Sequence, residues 1–108
     1  MCHCLACQRR TGAPFGAQSW FRLDQVSVSG GSTAFTRRAD SGNSVTFHFC
    51  PACGSTVHWQ LDAYPGVMAI ALGMFADPAY PPPKVSVWES RRHPWSERIA
   101  DCPMEHSA

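Results

Sequence analysis

The sequence predicts an all-β fold, and three observations predict it. Short runs rich in Val, Thr, Phe and Trp recur at roughly 8 to 12 residue intervals, the spacing of strands in a sandwich or folded sheet. Within "VTFHF" (45–49) and "TVHWQLD" (56–62) apolar and polar residues alternate, the period of a strand with one buried face. Nine prolines and eight glycines punctuate the chain, so no stretch is left for a long amphipathic helix.

The elements follow in order. The first strands are expected at Ser19–Leu23 ("SWFRL") and Gln25–Gly30 ("QVSVSG"). "STAFTRR" (32–38) and "VTFHF" (45–49) flank the turn "DSGNS", whose Gly42-Asn43 pair marks a hairpin. "TVHWQLD" (56–62) and "GVMAIALG" (66–73) come next, and "KVSVWES" (84–90) is the last strand. Phe47, Phe49 and Trp59 are assigned to the core; His48 and His58 alternate out of phase with them and are assigned to solvent. "DPAYPPPK" reads as a proline-rich surface loop and "MEHSA" as a loose tail. No internal repeat or linker divides the chain, so residues 1–108 are expected to form a single domain.

Composition excludes several classes. Hydrophobic residues make up 44% of the chain and charged residues 16%, too apolar for a disordered tail. A formal net charge of +1 is too near neutral for a protein whose main work is gripping phosphate backbones, so nucleic acid is not an expected partner. The longest apolar run, "VMAIAL" (67–72), falls far short of the roughly 20 residues a membrane helix needs. No basic stretch followed by an apolar one opens the chain as a secretory signal does. The expectation is a cytoplasmic protein that does not enter a membrane.

The six cysteines are grouped rather than dispersed. Cys2, Cys4 and Cys7 make C-x-C-x-x-C, Cys50 and Cys53 make C-x-x-C within "FCPACGS", and Cys102 stands apart as a buried or free thiol. Disulfide frameworks usually spread their cysteines to close long loops. Short C-x-x-C turns instead aim two sulfurs at one centre, which suits tetrahedral zinc. "FHFCPACGSTVHW" reads as a zinc knuckle at the tip of a β-hairpin, with Gly54 supplying backbone freedom before the next strand. The C-x-x-C motifs read as knuckles rather than as turns that lead from a strand into a helix, so a thioredoxin-like redox role is not expected.

These residues carry a resemblance. "CHCLACQRRTGAPFGA", then "FCPACGS", "ALGMFADP" and "RRHPW", in that order, resemble the glutathione-dependent formaldehyde-activating enzyme family from Cys2 to about Trp95. The resemblance implies the Mss4-like all-β fold, folded sheets with zinc knuckles, in a domain shared with centromere protein V. It implies a catalytic zinc on Cys2, Cys4 and Cys7, and a structural zinc on Cys50 and Cys53 together with a C-x-C further upstream. The sequence begins one residue before the cluster and does not contain that C-x-C, so the expectation is either a longer gene product or a short form. Two thiolates alone make a weak zinc site. Cys50 and Cys53 would recruit Cys2, Cys4 and Cys7 into one merged centre, take a histidine or Cys102, or stay empty. The merged centre and the separate three-cysteine site are both open at this point.

Three thiolates on Zn²⁺ leave a net negative charge and one open tetrahedral position. Such a centre is a weak Lewis acid toward water and better suited to holding an incoming thiol as its thiolate. The resemblance implies glutathione there, adding to formaldehyde to give S-hydroxymethylglutathione, a carbon–sulfur lyase-type activity or carriage of the adduct. Arg9 and Arg10 beside the cluster, and Arg91 and Arg92 in "SRRHPW", are candidates for the glutathione carboxylates. Gly12, opening the tight "GAPF" turn, and Trp95 are candidates to line the pocket. The alternative is a non-catalytic, zinc-stabilised binding module with a protein or chromatin partner. Thiol binding separates the two, because an open site accepts glutathione and a closed one does not. A homodimer is a further candidate, since a missing edge strand leaves backbone groups free to pair.

Overall fold

The computed structural model describes residues 1–96 and 103–108, so Cys102 lies outside the described residues. The chain falls into two compact units, one of Ser19–Met74 and one of Met1–Gln18 with Phe75–Ala108. Among the described residues the fold is mostly β, with one short α-helix, and no helix is long and apolar enough to cross a membrane.

The larger sheet has five strands: β1 (Gln18–Arg22), β2 (Thr33–Arg38), β3 (Ser44–Phe49), β4 (Thr56–Leu61) and β5 (Val67–Ala71), in the order β1-β5-β4-β3-β2. β2, β3, β4 and β5 pair antiparallel in succession. The turn between β2 and β3 is the one the Gly42-Asn43 pair predicts. Gly42 has φ 91°, and the Ala39 N–H donates to Asn43 O at 2.7 Å. Register puts Phe47 opposite Trp59 and Trp59 opposite Ala69, so one face collects Val45, Phe47, Trp59 and Ala69 into the core. The Phe47 and Trp59 rings meet at 5.5 Å and 41°, and the Arg37 guanidinium sits 5.3 Å above Phe47. Phe49, one step past a register shift, is only partly buried.

Two expectations for this unit are corrected. Residues 25–30 are not a strand: Leu23–Gln25 form a 3₁₀ turn, tied by the Leu23 N–H to Gly66 O at 3.1 Å, and the chain then runs open. Within "QVSVSG" the Val26 N–H closes that turn on Leu23 O at 3.2 Å rather than pairing with a strand, and Val28 is left exposed. His58 does not face solvent. It is buried, its Nδ1 has no hydrogen-bond partner, and its ring stacks on His48 at 4.5 Å and 16°. The out-of-phase alternation holds, but the second face of the sheet is covered at His58 as well.

Burial, and then the neighbouring His48, push the His58 imidazole below its ordinary value of 6.5. The sign follows from linkage: below pH 6.5 the unfolded chain takes up a proton that the folded chain refuses, so acid favours unfolding. Stability should therefore be full above that value and fall as pH drops through it, by up to roughly 1 kcal/mol per pH unit. Urea unfolding across this range, with His58→Phe as the comparison, measures it. The variant should flatten the slope, and an unchanged slope would assign it to another group.

The other unit is built on a ladder centred on residues 84–87. β6 (Val85–Ser86) pairs parallel with β7 (Glu105–His106), which corrects the expectation that "MEHSA" is a loose tail and shortens the strand expected over 84–90. Glu105 N–H donates to Lys84 O and Ser107 N–H to Ser86 O. On the opposite edge Met1 N donates to Val85 O, Val87 N–H to Met1 O and His3 N–H to Val87 O. Successive backbone groups of a strand point to alternate sides, so one segment serves both neighbours. Cys2 also exchanges two bonds with Gly16, at 2.8 and 2.9 Å. Residues 1–3 are thus held on both edges, which is what a thiol cluster in so few residues requires.

Trp88 then turns the chain. Its φ of 58° is left-handed, a conformation that costs a bulky residue about 1–2 kcal/mol. It caps a 3₁₀ turn (Glu89–Arg91), whose Glu89 N–H is held by Ser107 O. Beyond it, the Ser96 hydroxyl and N–H both donate to His93 O, closing the turn that presents Trp95.

Candidate metal centre

α1 (Leu5–Thr11) starts inside the cysteine motif. The sequence reading treats Cys4-x-x-Cys7 as a knuckle; the structure corrects this to a helix start. Cys4 is the N-cap, with its sulfur accepting from the Cys7 N–H at 3.4 Å. Gly12 ends the helix at φ 68°, its N–H donating to Gln8 O, as a left-handed C-cap does. Thr11 Oγ1 donates to Cys7 O at 2.9 Å and accepts from the Ala13 N–H, folding "GAPF" back along the helix. Cys2 comes from the ladder, Cys4 from the cap and Cys7 from the first turn of α1.

These three sulfurs lie within 4.8 Å of one another, and all three residues are buried. Among the described residues they are the one group of three or more metal-ligating side chains so arranged. No disulfide joins the described cysteines. A tetrahedral zinc with bonds of about 2.3 Å sets its sulfurs about 3.8 Å apart, so the cluster needs only a small contraction to close on an ion. The donor set fits as well, being all thiol and wanting a soft cation. Hydrogen bonds from the Cys2 and Cys4 thiols and the Arg10 guanidinium outweigh burial and hold the Cys7 thiol down to about 5. By its own bond to Cys7, and by burial, the Cys2 thiol is held well above the usual thiol range.

His3 lies between two of these cysteines and is almost fully buried. Its Nε2 is 3.0 Å from Ser86 Oγ, its Nδ1 has no hydrogen-bond partner, and burial pushes it below its ordinary value. The ring stands 6.0 Å from Phe15.

α1 carries a second feature on its adjoining side. Gln8, Arg9, Gly12, Ala13 and Pro14 line an open cleft of about 360 Å³ with His93 and Trp95. Trp95 is 65% exposed and meets His93 edge-on at 6.0 Å. Gln8 fixes the far wall: its Nε2 donates to His3 O and Arg91 O, and its Oε1 lies 2.9 Å from His93 Nε2. The sequence reading missed Gln8 and His93. For His93 the signal is its place in "RRHPW", between the paired arginines and Trp95. Arg92 instead pairs with Glu89 Oε1 at 3.7 Å, and Arg91 supplies its carbonyl.

The candidate residues are therefore placed as follows. Cys2, Cys4 and Cys7 come together. Arg9, Gly12 and Trp95 line the cleft, while Arg10 turns away from it to the Cys7 sulfur. Cys50 and Cys53 lie in the five-stranded unit, on the turn between β3 and β4, where Gly54 has φ 75° and donates to Cys50 O as the turn demands. The Cys53 thiol is exposed and sits 3.3 Å from Ser55 Oγ, a bond that lowers it from the usual thiol range.

No curated protein matches the chain in sequence. A family model does, and it spans the N-terminal residues with β6, the three-sulfur cluster, α1 and the five-stranded sheet. Residues 1–91 match the model described as glutathione-dependent formaldehyde-activating enzyme, and the chain belongs to that family.

Proposed function

We propose that this protein holds zinc on Cys2, Cys4 and Cys7 and acts on glutathione and formaldehyde, making or cleaving the carbon–sulfur bond of S-hydroxymethylglutathione. The observation that carries the reading is the burial of three thiols within 4.8 Å of one another. When bound there, zinc supplies an open coordination position that takes a thiol as its thiolate.

The protein's own groups do the rest. Burial of the cluster keeps competing water ligands few. Arg9 offers a bidentate partner for a glutathione carboxylate at the cleft. The Gly12 turn lets a ligand approach backbone, and the Trp95 indole covers the apolar part of the tripeptide. Gln8, bonded to His3 O and to His93, links the cleft wall to the cluster and sets where the ligand lies relative to the sulfurs. In the forward direction the glutathione thiol gives its proton to solvent, its sulfur bonds to the formaldehyde carbon as the C=O π bond opens, and the oxygen takes up a proton from solvent, so no proton is gained or lost overall. The reverse reaction breaks the same bond.

Protein purified without added zinc should carry zinc, measured by elemental analysis, and should bind glutathione, measured by calorimetry. Metal with no glutathione binding would favour the zinc-stabilised binding module. Absence of metal from the purified protein, with none taken up on adding zinc, would overturn the reading.

A further inference from the structure

Arg9 and Arg10 are adjacent in sequence and part company in the structure. Arg9 faces the cleft. Arg10 reaches the cluster, and the backbone at residue 16 shows how closely. A Cβ added to Gly16 would stand 2.9 Å from Arg10 Nη2, 3.5 Å from Cys7 Cβ and 3.7 Å from Cys7 Sγ. A side chain there would press on the guanidinium and touch the Cys7 side chain at once. Gly16 cannot retreat from them, because both its backbone bonds go to Cys2. Its φ is not in the left-handed region, so glycine at this position answers to space rather than to backbone conformation.

We propose that Arg10, seated by the missing Cβ of Gly16, is the counter-charge that lets the three-sulfur centre accept a fourth, anionic sulfur ligand. This rests on the reading above that the cluster holds a divalent ion with one open position. Three thiolates on a divalent ion carry net charge −1, and a further thiolate makes it −2. Like charge gathered in a buried site is costly, and a nearby cation offsets it. A guanidinium is suited to that task because it stays protonated and donates N–H groups in a fixed fork. The thiol's own proton leaves to solvent, so the centre gains one negative charge for each thiol it takes. A neutral ligand adds no charge and gains nothing from Arg10. Arg10 is therefore a positioning residue whose effect is selectivity for anionic over neutral ligands.

The test uses the full chain loaded with Co²⁺, whose thiolate charge-transfer absorption reports the fourth ligand. 2-Mercaptoethanol is the anionic probe, chosen because it has no carboxylate for an arginine to grip, and imidazole is the neutral one. Arg10→Met should weaken 2-mercaptoethanol about tenfold and leave imidazole within twofold, while Arg10→Lys should recover most of the loss. Gly16→Ala should reproduce the effect without unfolding, since the atom it displaces is the end of a flexible side chain. In an Arg10→Ala background Gly16→Ala should add nothing, because the atom it strikes is gone. Equal weakening of both probes, or no change in either, would overturn the inference while leaving the metal site standing. Loss confined to glutathione, with 2-mercaptoethanol unaffected, would make Arg10 a carboxylate anchor and overturn it also. Failure of the parent protein to take up Co²⁺ would remove the underlying reading and this inference together.

Discussion

Cys7→Ser should lower zinc affinity by about two to three orders of magnitude, the loss expected when one of few thiolate ligands becomes a hydroxyl. Cys7 is the sulfur best prepared for a cation. The neighbouring Cys2 and Cys4 thiols and the Arg10 guanidinium favour its thiolate and hold it below the usual thiol range. Serine keeps the shape, and the Cys7 N–H still bonds the Cys4 sulfur and so keeps the helix start. The fold should therefore survive while the site does not. Competition against a chromophoric chelator measures the affinity, and circular dichroism checks the fold. Cys53→Ser is the control: its thiol is exposed on the β3–β4 turn, and the three-sulfur site should keep its metal. Full zinc affinity in Cys7→Ser would mean that Cys7 is not a ligand.

Trp59→Ala should destabilise the protein by about 3–5 kcal/mol, the range for emptying a large aromatic site in a core that cannot collapse. Trp59 is 4% exposed, on a strand with neighbours on both sides. It packs on Phe47 at 5.5 Å and lies in register with Ala69, which is fully buried and too small to fill the space. Phe35 shares that face on the edge strand β2 but is 58% exposed, so Phe35→Ala should cost under about 1 kcal/mol. Urea unfolding of the two variants against the parent gives both numbers. A loss below about 2 kcal/mol at Trp59 would show that the core repacks around the gap.

The strands from 33 to 71 were legible because their information is local. Alternation sets which residues share a face, and Gly42-Asn43 sets where the chain reverses. The grouping of Cys2, Cys4 and Cys7 was legible for the same reason, since sulfurs two and three residues apart cannot stray far. What alternation cannot say is whether the second face is covered. His58 was placed correctly by phase and wrongly by burial. Nor does a run of β-formers ensure a strand, as "QVSVSG" shows, because a strand exists only where another backbone accepts it. The converse holds at Glu105–His106, polar residues that pair with Val85–Ser86 twenty positions earlier.

By itself the sequence determined the β class, the hairpin, the core pair Phe47–Trp59 and the sulfur set. Tertiary structure alone decided how the N-terminal residues are held and what their neighbours do. Residues 1–3 are pinned by backbone bonds to Gly16 and to residues 85–87, contacts across most of the chain that no local pattern encodes. Leu5–Thr11 is too short to be helical by propensity, and it forms because its cap and its ladder are already in place. Once it is a helix, each residue is turned about 100° from the last. That rotation sends Arg9 to the cleft and Arg10 to the Cys7 sulfur, a division of labour invisible in two identical adjacent letters.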